Sequence, residues 1–359
     1  MALTAAFVIP LSQNVPNQEE QLIEHWLRGD PVAFEGTLRI WVADGEATGK
    51  GNAAAWLKER SSAFEKKNFG VFYTMEQMSV TVMTQRLAQG ERPDIVILGD
   101  EQQDGIAPYC TQLAVEVPLL SGLSLGQQGR LCPLYQTGYG LLINEDALYA
   151  QGLNPPAGLD GLDADWVQQV QQVLPQAFAC DDGDVTSTMA VLQSTLPDLV
   201  QEAIVTSDSG SLSQWKDGRI AVLPCSMRTA WELEKQSILG KPLPAYTWLP
   251  LSGFSGHLQW AGVVEQTDTA RMDAAARLLA FYLQKGSQQK LSAIWSIPVR
   301  EEEGGIACDA SAQAPFWQTA QQTPRRFLKP EADRQTFVGL RKQKDVKGMR
   351  NWLDASCID

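Results

Sequence analysis

Few residues of this 359-residue chain have the type and spacing that catalysis demands. It holds two histidines, His25 and His257, and neither stands in the Gly-x-Ser-x-Gly setting that exposes a nucleophilic serine. Six cysteines (Cys110, Cys132, Cys180, Cys225, Cys308 and Cys357) include no Cys-x-x-Cys pair, so a Cys/His zinc site is not expected. An even count allows disulfides in an exported protein, and single buried thiols fit equally well. With 42 Asp and Glu, carboxylate pairs occur everywhere and do not mark a glycosidase. The run Asp181–Asp184 begins like a calcium loop, fails the pattern beyond Gly183, and reads as a solvated turn. Gly49 and Gly51 form one Gly-x-Gly element without the longer phosphate-binding patterns, a weak nucleotide signal. An enzyme is therefore not expected, nor a metal or cofactor. The chemistry left is recognition, and the chain has 11 tryptophans to perform it.

The elements that must position such residues follow from hydrophobic patterning. The chain is long enough for two domains, and 44% hydrophobic with 20% charged residues is a globular composition. A net charge of −13 argues against nucleic acid, which needs clustered Lys and Arg. Ala2–Pro10 (ALTAAFVIP) is too short to span a bilayer and reads as the tail of an export signal or anchor, or as an ordinary terminus. Gln18–Arg28 (QEEQLIEHWLR) reads as a short amphipathic helix. Thr37–Ala43 reads as a strand, Ala53–Lys67 as a helix, Val71–Thr74 as a strand, Val80–Gln89 as a helix and Asp94–Leu98 as a strand. Strand alternating with helix is the pattern of a parallel sheet, and ligands bind beyond the carboxyl ends of such strands. That rim carries the loops Asp44–Asn52, Met75–Ser79 and Gly99–Gln103. Its candidate contacts are Trp41, Asp44, Glu46, Glu76 and Asp100, with a buried strand position as the alternative for Trp41 and solvated loops for the acids. Further on, Asp160–Leu174, Asp184–Val205, Leu212–Ala221, Ile220–Leu223, Arg228–Lys235, Leu258–Val264 and Arg271–Leu283 suggest a second α/β region.

Five segments, in order, carry a family resemblance: LRIWV followed by AWLKERSSAFEKKN at Ala55–Asn68, RLAQGERPDIVIL at Arg86–Leu98, LYQTGYGLLINEDAL at Leu134–Leu148, QWKDGRIAVLPCSMRTAWEL at Gln214–Leu233, and AARLLAFYLQKGSQQKLSAIWSIPVR at Ala275–Arg300. Each alone is weak, but together the sequence resembles the extracellular solute-binding proteins of ABC importers, in the branch that mostly carries carbohydrates. The resemblance implies an α/β, two-lobed, type II periplasmic-binding-protein-like fold with hinge crossovers. It places residues 36–137 with 258–305 in one lobe and 138–257 with 306–359 in the other, after an N-terminal segment of 1–35. Leu131–Asn144 and Leu258–Val264 are then the crossings.

The function implied is capture of a small polar solute, a carbohydrate above all, for delivery to the transmembrane subunits of an importer. A monomer working outside the cytoplasmic membrane is expected, without nucleic acid. A sugar lays its apolar faces on aromatic rings and needs paired donors and acceptors for its hydroxyls. The resemblance adds Tyr139 at the crossover, and Arg228 and Trp231 at the start of a helix, to the candidate contacts. Phe254, in the loop SGFSG, and Trp260, near the hinge, complete them, while Trp295 reads as core, as do Trp56, Trp166 and Trp352. A polyamine or an anion held by Arg228 is the alternative ligand. A sensor or scaffold that kept the fold and lost capture is the alternative role.

Overall fold

The computed structural model describes residues 34–43, 52–99, 103–113, 118–120, 123–181, 184–207, 210–251, 257–302, 305–306, 326–329 and 332–358. The expectations for residues 2–10 and 18–28, for Asp44, Glu46 and Asp100, and for Phe254 lie outside them.

In chain order, β1 (Gly36–Ala43), α1 (Asn52–Lys67), β2 (Val71–Met78), α2 (Val80–Ala88), β3 (Ile95–Gly99) and α3 (Gln103–Ile106) alternate strand and helix. Strands β4 (Cys132–Thr137) and β5 (Tyr139–Asn144) follow, then α4 (Glu145–Tyr149), α5 (Ala164–Val173), α6 (Val185–Gln193), α7 (Asp198–Val205) and α8 (Leu212–Lys216). Next come β6 (Val222–Ser226), α9 (Met227–Ile238), β7 (Tyr246–Pro250), β8 (His257–Val263) and α10 (Thr269–Tyr282). The short α11 (Lys285–Gln288) and β9 (Ile297–Pro298) precede the last helices, α12 (Arg334–Lys342) and α13 (Val346–Ser356). Many helices start on a side-chain cap that satisfies a free backbone donor. Asp163 accepts from Trp166 N at 2.8 Å, Asp184 from Ser187 N at 3.0 Å and Asp268 from Arg271 N at 3.0 Å.

The chain divides into two compact units. One comprises Met1–Gln136, Leu258–Ile294 and Pro298–Asp309, and the other Thr137–His257, Trp295–Ile297 and Ala310–Asp359, as far as their residues are described. The first is built on a six-stranded sheet in the order β2-β1-β3-β8-β4-β9, the second on a three-stranded sheet in the order β6-β5-β7. In the first sheet β1 runs parallel to both β2 and β3, and β8 lies antiparallel to β3. β3 is buried along its whole length, which is why it reads as an unbroken apolar run.

Two expectations need correction. β2 does not stop at Thr74: it pairs with β1 through Ala43↔Met78, so Glu76 stands in a strand and not in a rim loop. The ladder holds the polar Glu-Gln pair extended. Leu258–Val264 is not itself a crossing, because β8 is an interior strand of the first sheet, paired from Ile95↔Val263 to Gly99↔Gln259. The Asp184–Val205 stretch holds two helices, α6 and α7, parted ahead of Pro197.

The core of the first unit centres on Trp56, whose ring meets Tyr135 edge-on at 5.7 Å and Tyr282 at 5.7 Å, and whose indole N–H donates to Ser287 O at 3.1 Å. A buried carboxylate ties strand to helix there. Asp94, whose side chain is 0% exposed, accepts from Arg39 N, Gln266 Nε2 and the Nε and Nη2 of Arg271. In the second unit β5 feeds two cores, as the twofold alternation of a strand requires. Leu141 and Ile143 join Met189, Val200, Phe337 and Leu353, while Leu142 joins Trp215, Leu223 and Leu233. Cys110, Cys132, Cys180, Cys225 and Cys357 are buried, and no disulfide forms among the described cysteines. Among the described residues no helix is long and apolar enough to cross a membrane.

Candidate functional site

Three candidate residues of the second unit, Tyr139, Arg228 and Trp231, lie where β5 opens and α9 begins. Tyr139 opens β5 opposite Ser226, the last residue of β6, and Met227 N donates to Gly138 O at 2.8 Å where α9 begins. Ser226 caps that helix, its hydroxyl accepting from Thr229 N at 3.4 Å. Arg228 and Trp231 therefore lie in the first turns of α9, both half-buried. Tyr139 is 1% exposed and packs with the Leu141 and Ile143 core.

Trp231 does not stand alone. Its ring stacks on Trp295 with centroids 5.6 Å apart and planes 27° from parallel, and Trp295 packs on Trp248 at 6.1 Å. All three indoles are half-buried, and the indole N–H of Trp231 has no hydrogen-bond partner among the described residues. Trp248 sits on β7 opposite Leu142 and lies flat across Gly140, where an added Cβ would stand 2.3 Å from its Cε2. Only glycine admits a ring this close to the strand. Trp295 holds a left-handed backbone, φ 52°, rare for a bulky residue. The three half-buried indoles, from α9, β7 and the segment just ahead of β9, make one aromatic platform with polar N–H edges.

In the first unit the sequence-based candidates separate. Trp41 is 2% exposed, and the Arg86 guanidinium lies 4.2 Å above its ring. Arg86 in turn grips Glu76 at 2.7 Å and Glu91 at 2.8 Å. Hydrogen bonds to those two carboxylates hold the guanidinium above its usual pKa, and the bond from Arg86 holds Glu91 below the ordinary carboxylate value. Glu76 is thus engaged in a surface ion pair. Trp260 is 3% exposed and packs beside Gln103 and Gly126. Among the described residues no group of three or more His, Cys, Asp or Glu could hold a metal ion.

Sequence reading did not single out Trp248 and set Trp295 in the core. The available signal for Trp248 was Gly140 in the neighbouring strand; nothing local marks Trp295. Trp56, Trp166 and Trp352 pack against other aromatic rings, Tyr135, Phe178 and Phe337 respectively.

The α/β fold is similar to that of solved solute-binding proteins, ABC substrate-binding proteins among them. The cyclic alpha-maltosyl-1,6-maltose binding protein of Arthrobacter globiformis matches with a TM-score of 0.63 at 14% identity, over 90% of this chain and 97% of that one. UgpB from Mycobacterium tuberculosis, solved with glycerophosphocholine, matches with a TM-score of 0.62 at 15% identity, over 90% of this chain and 98% of that one. The ABC substrate-binding protein Lmo0181 from Listeria monocytogenes, solved with cycloalternan, matches with a TM-score of 0.57 at 12% identity, over 90% of this chain and 98% of that one. No family model matches the sequence, and no curated protein matches it.

Proposed function

We propose that this protein is an extracytoplasmic solute-binding protein that captures a carbohydrate and delivers it to the transmembrane subunits of an ABC importer, without catalysing a reaction. The observation that carries the reading is the Trp231–Trp295–Trp248 cluster of the second unit. Indoles offer large apolar faces at low conformational cost, matching the C–H faces of a pyranose ring. The fold supports capture, since a ligand that prefers one conformation of such a protein shifts its population. Two of the similar structures have sugars in their names or as their ligands, and a third holds glycerophosphocholine. Arg228, in the first turn of α9, is the group that would serve an anionic solute instead.

A second reading has its own observation. Trp231 and Trp295 stack on each other, so each already covers one face of its neighbour. A protein that kept the fold as a scaffold would retain the cluster as packing alone. Thermal-shift measurement against neutral sugars, polyamines and glycerophosphocholine separates the readings. A ligand at about 100 times its dissociation constant adds about 2.7 kcal/mol of stability. A saturable rise in melting temperature with a neutral sugar is the expected result. Silence across the panel favours the scaffold, and a response to glycerophosphocholine or a polyamine alone refutes the carbohydrate.

A further inference from the structure

Buried glutamines show what a purely structural amide does in this protein. Gln288, 0% exposed, donates from Nε2 to Leu134 O and Tyr282 O, each at 3.0 Å, and accepts at Oε1 from Val299 N at 3.0 Å. Gln201 donates to Ser194 O at 3.0 Å and Leu196 O at 2.9 Å and accepts from Arg350 Nη2 at 2.7 Å. Gln136 keeps one bond, from Nε2 to Pro298 O at 2.9 Å, and leaves Oε1 unpaired.

Gln103 departs furthest from this pattern, and Gln259, like Gln136, leaves one amide atom unpaired. Gln103 is 2% exposed, yet among the described residues neither its Nε2 nor its Oε1 has a hydrogen-bond partner. Gln259 is 1% exposed, and its Nε2 has none. Leaving a buried amide unsatisfied costs free energy, and native proteins rarely tolerate it without a reason. The two residues share one edge of the first sheet. Gly99 ends β3 and pairs with Gln259, and Gln103 opens α3 just beyond that end. This is the edge past the carboxyl ends of the parallel strands, where α/β sheets take their ligands. The Gln103 amide also lies beside an indole: a Cβ on Gly126 would stand 2.9 Å from Gln103 Oε1 and 3.0 Å from Trp260 Cζ3.

We propose that Gln103 and Gln259 are hydrogen-bonding determinants for a neutral, hydroxylated ligand, a polyol or sugar. Gln103 has a donor and an acceptor both unused, the complement of a hydroxyl group, which also both donates and accepts. An anion has no use for the amide oxygen, and a cation none for the amide N–H. The inference rests on the solute-capture reading and names polar groups that the first unit offers for it.

The test compares Gln103→Leu, Gln103→Met and Gln259→Leu with Gln288→Leu as the structural control. Each is melted without ligand, and each is titrated calorimetrically with maltose, cycloalternan and glycerophosphocholine. The expected result is that the Gln103 and Gln259 variants melt at or above the wild-type temperature, while Gln288→Leu melts below it. Their affinity for the neutral sugar falls by about tenfold or more. Loss of ligand-free stability comparable to that of Gln288→Leu would make both residues structural and overturn the inference. So would unchanged sugar affinity in variants of a wild type that binds sugar, and that outcome leaves the solute-capture reading intact. A wild type that binds glycerophosphocholine and no sugar overturns the neutral-ligand assignment alone. A wild type that binds no member of the panel takes the carbohydrate reading down together with it.

Discussion

Gly140→Ala is the sharpest probe of the tryptophan platform, because a single methyl group decides the outcome. The new Cβ would stand 2.3 Å from Trp248 Cε2, 2.5 Å from Nε1 and 2.6 Å from Cζ2. Carbon atoms are comfortable at about 3.5–4.0 Å, so the ring has to retreat by more than 1 Å. It cannot retreat freely, since Trp295 packs on it at 6.1 Å and Trp295 in turn stacks on Trp231. Overpacking of this kind costs about 1–3 kcal/mol, and the half-buried ring keeps the cost toward the lower end of that range. For a unit of this size each kcal/mol lowers the melting temperature by roughly 2–4 °C. Melting followed by tryptophan emission reads both the stability and the disturbed ring. Gly286→Ala is the control: nothing lies within 4 Å of its added Cβ, and its substitution should be neutral or slightly stabilising. If Gly140→Ala matched the control in melting temperature and emission, Trp248 would not lie on the strand and the platform would not exist as described.

Two further expectations concern the frame around the site. Arg271→Leu strands the buried Asp94 carboxylate with only Arg39 N and Gln266 Nε2 as donors, and should cost about 3–5 kcal/mol in chemical denaturation; a loss under 1 kcal/mol would show that the pair is dispensable. Burial pushes the Cys110 and Cys132 thiols from 9.0 up to about 12. The unfolded chain therefore ionises near 9 while the folded one does not, so this contribution is complete below that pH and is lost as pH climbs toward 12. Each thiol should remove roughly 1 kcal/mol per pH unit across that window, and Cys132→Ala should flatten the slope. A slope unaffected by Cys132→Ala would contradict the assignment.

How much of this was legible in the sequence depended on whether the deciding interaction was local. β3 announced itself through an unbroken apolar run, and α5 and α10 through an Asp cap ahead of a periodic face. Glu76 was misplaced because its strand is held by pairing with β1, a partner more than thirty residues away that no local pattern reveals. The tryptophans divide by the same rule. Trp56 shows its helical spacing and is core, whereas Trp295 is brought to Trp231 from 64 residues further along the chain. Gln103 and Gln259 carry no sequence signal at all. They differ from Gln288 only in what surrounds them, and hydrogen-bond satisfaction is a property of the folded neighbourhood.

Trp231→Ala, measured twice on one preparation, tests the central claim most directly. The first measurement is calorimetric affinity for a neutral sugar that the wild type binds; the second is melting without ligand. A ring that serves capture loses affinity by about 1–3 kcal/mol on truncation. The half-buried stack contributes about 0.5–1.5 kcal/mol beyond area burial, so ligand-free stability should fall only modestly. A fully buried core tryptophan would instead cost about 3–5 kcal/mol of stability. Lost affinity with nearly preserved stability is the predicted result, and lost stability with unchanged affinity would contradict it.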